Sequence, residues 1–142
     1  MSIKFFLKAN KKVKPNTFYT ASENFIDEDG KPLEWEIKPL SAQDNERIKE
    51  ECTTIIETRD RGFKAHPKID IQLMQAKQIV ASVVYPDLYN AELQDSYGVK
   101  EPEDLLFAMI TEAGEYQNFV VFIQKFNKMN ISLDEKIEEA KN

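Results

Sequence analysis

Asp70-Ile71-Gln72-Leu73-Met74-Gln75-Ala76-Lys77-Gln78-Ile79-Val80-Ala81-Ser82-Val83-Val84-Tyr85-Pro86 is the stretch whose reading decides the fold. Asp70 has the short acceptor side chain that caps a helix start, and a helix is expected from Ile71 to about Val84. Its Leu73, Met74, Ile79, Val80, Val83 and Val84 cover most of the circumference, and a helix apolar nearly all round normally lies at the centre of a core. Pro86 has no backbone N–H to give and stops it. The expected fold is therefore mainly α with a minor β part (α+β minor): a compact bundle of about five to six helices with a small N-terminal β-hairpin.

Downstream, Asn90 is placed to cap a short helix through Ser96, and Gly98 to terminate it. The connector Tyr85 to Val99 carries three tyrosines, two leucines and a valine, with no catalytic group. Tyrosine joins a large apolar ring to a polar tip and serves equally at half-buried core edges and at partner surfaces. Pro102-Glu103-Asp104 starts the next helix, with acids near the positive end of its dipole, and leads into Leu105, Leu106, Met109 and Ile110. Thr111-Glu112-Ala113-Gly114-Glu115 either bends the chain or starts a helix capped by Thr111. From Tyr116 to Met129 the apolar residues span about half the circumference, wider than the roughly 100° of one core contact. Two buried contacts are implied, and the ridge Phe119, Phe122, Phe126 is open to a core reading and to an interface reading. Ser132-Leu133-Asp134-Glu135 is a capping-box match for a last short helix.

Upstream, Ser41-Ala42-Gln43-Asp44 approximates a capping box, and Ile48, Cys52, Ile55 and Ile56 follow at helical spacing, so a helix is expected to run on until shortly before Gly62. Arg59, Arg61, Lys64, His66 and Lys68 are then a basic loop. Leu33, Trp35 and Ile37 alternate with Glu34, Glu36 and Lys38, the period of a strand with one face buried. With Thr17 to Ile26 across the turn Asp27-Glu28-Asp29-Gly30-Lys31-Pro32, this reads as a β-hairpin. Two strands alone are marginal in water, so the hairpin must lie on helices or extend a partner's sheet. Lys4, Lys8, Lys11, Lys12 and Lys14 make a basic arm in front. The expected organisation is one domain over 1–142: arm 1–16, hairpin 17–40 and helical body 41–142.

At 142 residues the chain is long enough for a core without staples, and 42% apolar with 31% charged residues argues against global disorder. The apolar runs around Ile79 to Tyr85 and Phe119 to Ile123 are too short to cross a bilayer, and the N-terminus lacks the pattern of a signal peptide. No membrane partner is expected. A net charge of -6 discourages nucleic-acid binding, which needs a cationic face. A single cysteine excludes an internal disulfide, and with a single histidine it leaves no usual Cys/His metal site. Cys52 reads as a buried thiol. The sharper alternative, a Cys52/His66 nucleophile pair, lacks an orienting group or an oxyanion loop. Asp27-Glu28-Asp29-Gly30 lacks the ligand spacing of a calcium loop. Gly30, Gly62, Gly98 and Gly114 are scattered, so no phosphate-cradling loop exists. Neither an enzyme nor a cofactor is expected.

Several blocks, read in order, resemble the XkdN-like tail assembly chaperones of phages and prophages of Gram-positive bacteria. They are Asn24 to Ile37, Tyr85-Pro86-Asp87-Leu88 with Asn90 to Val99, Gly114-Glu115-Tyr116, and the terminal Glu138 to Asn142. The resemblance spans nearly the whole chain, and Tyr85 to Val99 is its most specific part. Asn24 stands where a basic residue is expected in that family. The resemblance implies a chaperone in the host bacterial cytoplasm. Several copies coat the apolar tape measure protein, keep it soluble, and are absent from the mature virion. The alternative is a structural virion or tail adaptor protein. On this reading Tyr85, Leu88, Tyr89, Leu93, Tyr97, Phe119, Phe122 and Phe126 are the candidate partner-binding residues. A groove of Tyr89, Leu93, Tyr97 and part of the phenylalanine ridge would receive amphipathic helices. A homo-oligomer is implied, together with a frameshifted longer form, since Ala140-Lys141-Asn142 is encodable as GCA AAA AAC, which contains a slippery heptamer.

Overall fold

The computed structural model describes residues 2–58, 62 and 64–129. Helix α2, Ile71–Ser82, packs against α1 (Ala42–Glu51), α4 (Pro102–Met109) and α5 (Ala113–Phe126), the central place its all-round apolarity demands. A short α3, Ala91–Ser96, lies between α2 and α4 in sequence. The main core joins Ala76, Ile79 and Val80 of α2 to Leu105, Leu106 and Met109 of α4, Phe119 and Ile123 of α5, and Trp35 and Ile37.

The architecture is mixed α+β, with more strand than expected. In one sheet β1 (Thr17–Tyr19) pairs antiparallel with β2 (Trp35–Ile37), and β2 pairs antiparallel with β5 (Val83–Tyr85). The N-terminal hairpin therefore forms, but its first strand stops at Tyr19, and Ile26 only bridges Pro32 across the turn. Asp27 Oδ1 accepts the N–H groups of Asp29 and Lys31 at 2.8 and 2.9 Å, and Gly30 takes φ +80°, so the acidic cluster is a turn. The expected extension of α2 to Val84 is corrected: Val83 and Val84 leave the helix for β5. Their branched side chains suit a strand, and pairing with β2 decides the matter.

The second correction is larger. Helix α1 ends at Glu51 with Cys52 as its cap, and Ile55 and Ile56 stand on β3 (Thr53–Thr58), paired with β4 (Lys64–Ile69) in an unbroken register from Thr53↔Ile69 to Thr58↔Lys64. Lys64, His66 and Lys68 are thus strand residues, not loop residues, and the body after residue 41 contains a hairpin. The Cys52 carbonyl accepts the Asp70 N–H at 2.8 Å and closes the hairpin base where α1 ends and α2 begins.

The helix starts follow their caps. Ser41 Oγ accepts the Asp44 N–H at 3.0 Å, Asp70 Oδ1 the Leu73 N–H at 3.1 Å, and Asn90 Oδ1 the Leu93 N–H at 2.9 Å. Gly98, at φ +68°, ends α3 as expected: its N–H reaches the Asp95 carbonyl and that of Val99 reaches Gln94, both at 3.1 Å. Thr111 does not cap α5. The helix starts at Ala113 with Glu112 in the cap position, and the Glu112 carboxylate instead accepts from Asn24 Nδ2 at 3.1 Å. The expected helix at Ser132 lies outside the described residues.

Candidate binding surfaces

The connector from β5 to α3 splits its apolar residues between inside and outside. Leu88 is buried at 2% exposure, whereas Tyr85 and Tyr89 on either side are 67% and 68% exposed. Local hydrogen bonds hold this shape: Asp87 Oδ1 accepts the Tyr89 N–H at 3.0 Å, and Gln94 Nε2 donates to the Leu88 carbonyl at 2.8 Å. Leu88 anchors the segment in the core and leaves the Tyr89 ring outward, while Tyr85 is held at the end of β5 by its pairing with Glu36 of β2. Leu93 is half-buried against the core, and Tyr97 is partly exposed at the end of α3.

The ridge of α5 meets the sheet. Phe119 is wholly buried and meets the Trp35 ring edge-on at 5.6 Å and 87°. Phe122 stacks on Tyr19 at 4.1 Å and 10°, and Phe126 on Phe122 at 5.9 Å and 4°. Burial, and then the Glu115 carboxylate, push the Tyr19 hydroxyl above its ordinary value. Lys14 closes the row, with its ammonium 4.0 Å from the centre of the Phe126 ring. Among the candidate residues, then, the structure brings the three phenylalanines together beside β1. It sets Tyr85 at the end of β5 and Tyr89 on the connector beyond it.

Two features were not anticipated from the sequence. Glu115 accepts the Ser22 hydroxyl at 2.7 Å and the Glu23 N–H at 2.8 Å, and these bonds hold its carboxyl below the usual value. It lines an open cleft of about 500 Å³ with Tyr19, Ala21, Glu23 and Glu112. Lys77 lies between Glu51 at 3.6 Å and Glu103 at 3.5 Å. Burial opposes its charge, but the two carboxylates outweigh burial and raise its pKa. The spacing of these charges along the chain is too long for any local pattern to reveal.

Cys52 is buried, and burial raises its thiol pKa. His66 stands exposed on β4, three ladder positions above the hairpin base and so ~10 Å along the strand. The geometry does not assemble a thiolate and imidazole pair. No helix among the described residues is long and apolar enough to cross a membrane.

The chain belongs to the phage XkdN-like tail assembly chaperone family, whose pattern, described as "Phage XkdN-like tail assembly chaperone protein, TAC", matches residues 3–141. It is 26% identical over 121 residues to the phage-like element PBSX protein XkdN of Bacillus subtilis (strain 168), across 85% of this chain and 80% of that protein. Identity and coverage are the same for the uncharacterized protein YqbN of that strain. A crystal structure of the protein YqbN shares the fold with a TM-score of 0.77 at 20% identity, covering 92% of this chain and 98% of that one.

Proposed function

We propose that this protein binds the tape measure protein of a phage or prophage tail in the host bacterial cytoplasm. It keeps that apolar rod soluble during assembly and leaves before the virion is complete. The observation that carries the reading is that Tyr85, fixed at the end of β5, and Tyr89, beside buried Leu88, both stand outward in a member of a tail assembly chaperone family. Large aromatic rings fixed by a rigid anchor give contact area at little entropic cost, which suits the apolar stripe of an amphipathic helix. Leu93 and Tyr97 extend this surface along α3. Phe122 and Phe126 offer their half-buried edges, with Leu88 and Phe119 beneath as support. Several copies act along one rod, and a frameshifted longer form, if the codons for residues 140–142 encode it, joins them.

Affinity capture of the full chain tests the reading, with the tape measure protein of the same gene cluster as prey. That protein is expected among the captured partners, and mass spectrometry of purified particles is expected to lack the chaperone. Stoichiometric recovery of this chain from finished particles would instead establish a tail adaptor.

A further inference from the structure

We propose that residues 2–14 form a docking arm that seats in the acidic cleft of a second copy of this chain, joining copies head to tail. The arm has a defined shape. Ile3–Phe6 and Lys8–Asn10 are 3-10 turns, Ser2 Oγ accepts the Lys4 N–H at 3.3 Å, and Asn10 Nδ2 donates to the Lys4 carbonyl at 2.6 Å. Nevertheless Ile3, Phe5, Phe6, Leu7 and Val13 are each more than half exposed. An apolar cluster of this kind on an ordered segment marks a contact surface.

Charge selects the occupant. The arm holds five of the 19 basic residues and no acid, so the remaining 14 face 25 acids in the rest of the chain. A second copy is therefore a partner of opposite sign. The receiving cleft is lined by Glu23, Glu112 and Glu115 together with Tyr19, Thr20, Ala21, Gly114 and Asn118, and no Lys or Arg is among its described lining residues. The carboxylates, with the Tyr19 ring and Ala21 beside them, match an arm of aromatic rings interleaved with lysines.

Position selects the geometry. Lys14 ties the arm to the C-terminal end of α5, where its ammonium donates to the Phe126 carbonyl and covers the Phe126 ring. The cleft lies at the N-terminal end of the same helix, ~20 Å away at the usual rise per residue, and no arm residue lines it. A contact between two different patches is heterologous and repeats as a ring or an open row, a form suited to coating a rod. The inference rests on the proposed function only for that use, and its test needs no tail protein.

Sedimentation velocity of the full chain across a wide concentration range is expected to show reversible association that weakens with salt. Lys4→Glu/Lys8→Glu/Lys11→Glu in the arm, and Glu23→Lys/Glu112→Lys in the cleft, should each weaken association at least about tenfold, and mixing the two variants should restore it. Phe5→Ser/Phe6→Ser changes exposed rings alone and should weaken association equally, which keeps the test decisive if a charge variant misfolds. A wild-type chain that stays monomeric, arm variants that associate like wild type, or folded charge variants that stay apart when mixed would overturn the proposal. So would a monomer that uses the arm to sediment with anionic vesicles.

Discussion

The Tyr19 ring lies 4.1 Å from that of Phe122 with their planes 10° apart, so the strand that follows the basic arm is clamped to the aromatic face of α5. Phe119, one turn earlier, meets Trp35 of β2. These contacts make the phenylalanine ridge the seam between sheet and helices, while Tyr85 and Tyr89 stand outward.

Stability should follow that division. Phe119→Ala removes a wholly buried ring and is expected to cost about 3–5 kcal/mol, read as a lower midpoint in urea unfolding. Tyr85→Ser, at a 67% exposed position, is expected to stay within about 0.5 kcal/mol of wild type. Equal losses at the two positions would contradict the division.

Glu115 makes the fold sensitive to acid. Its folded carboxyl is held below the ordinary 4.5 by the Glu23 N–H and then the Ser22 hydroxyl. A depressed folded pKa contributes stability that is complete above the unfolded value and is lost as pH falls through the folded one. Glu115→Gln should therefore be less stable than wild type at neutral pH, with the gap narrowing in denaturant titrations as pH falls below the unfolded value and through the folded one. A gap independent of pH would place the effect elsewhere.

Helix α5 ends in a left-handed residue that is not glycine. Lys128 adopts φ 54°, its N–H bonds to the Lys125 carbonyl at 3.1 Å, and the Met129 N–H bonds to Gln124 at 2.8 Å. A side chain there costs about 1 kcal/mol that glycine avoids. Lys128→Gly is accordingly expected to raise the unfolding midpoint, and a lower midpoint would refute this.

The features legible in the sequence were local. Ser41, Asp70 and Asn90 cap helices because a short acceptor needs only the next turn, and the all-round apolarity of Ile71 to Ser82 marks the central helix. Strand pairing was less legible because it depends on distant partners. Ile55 and Ile56 continue the spacing of Ile48 and Cys52, which hid the hairpin. The branched run Thr53-Thr54-Ile55-Ile56 was the available sign of a strand. Val83 and Val84 likewise extended the apolar run of α2, until the pairing of β5 with β2 revealed their role. For the candidate surface, periodicity could not tell Leu88 from Tyr89. The hydrogen bonds of Asp87 and Gln94 turn one inward and the other outward.

Cys52 should behave as a shielded thiol. Being buried and raised in pKa, it is expected to react with a disulfide reagent orders of magnitude more slowly in the native chain than in denaturant. Rapid native modification would mean that the base of the β3–β4 hairpin opens.

Co-expression with the tape measure protein of the same gene cluster tests the central claim most directly, read as the soluble yield of that protein. Wild type should raise the yield. Tyr85→Asp/Tyr89→Asp, which alters only exposed rings, should abolish the gain while its circular dichroism and urea midpoint match wild type. An undiminished yield with this folded variant would contradict the assignment of the tyrosine surface to the tail protein.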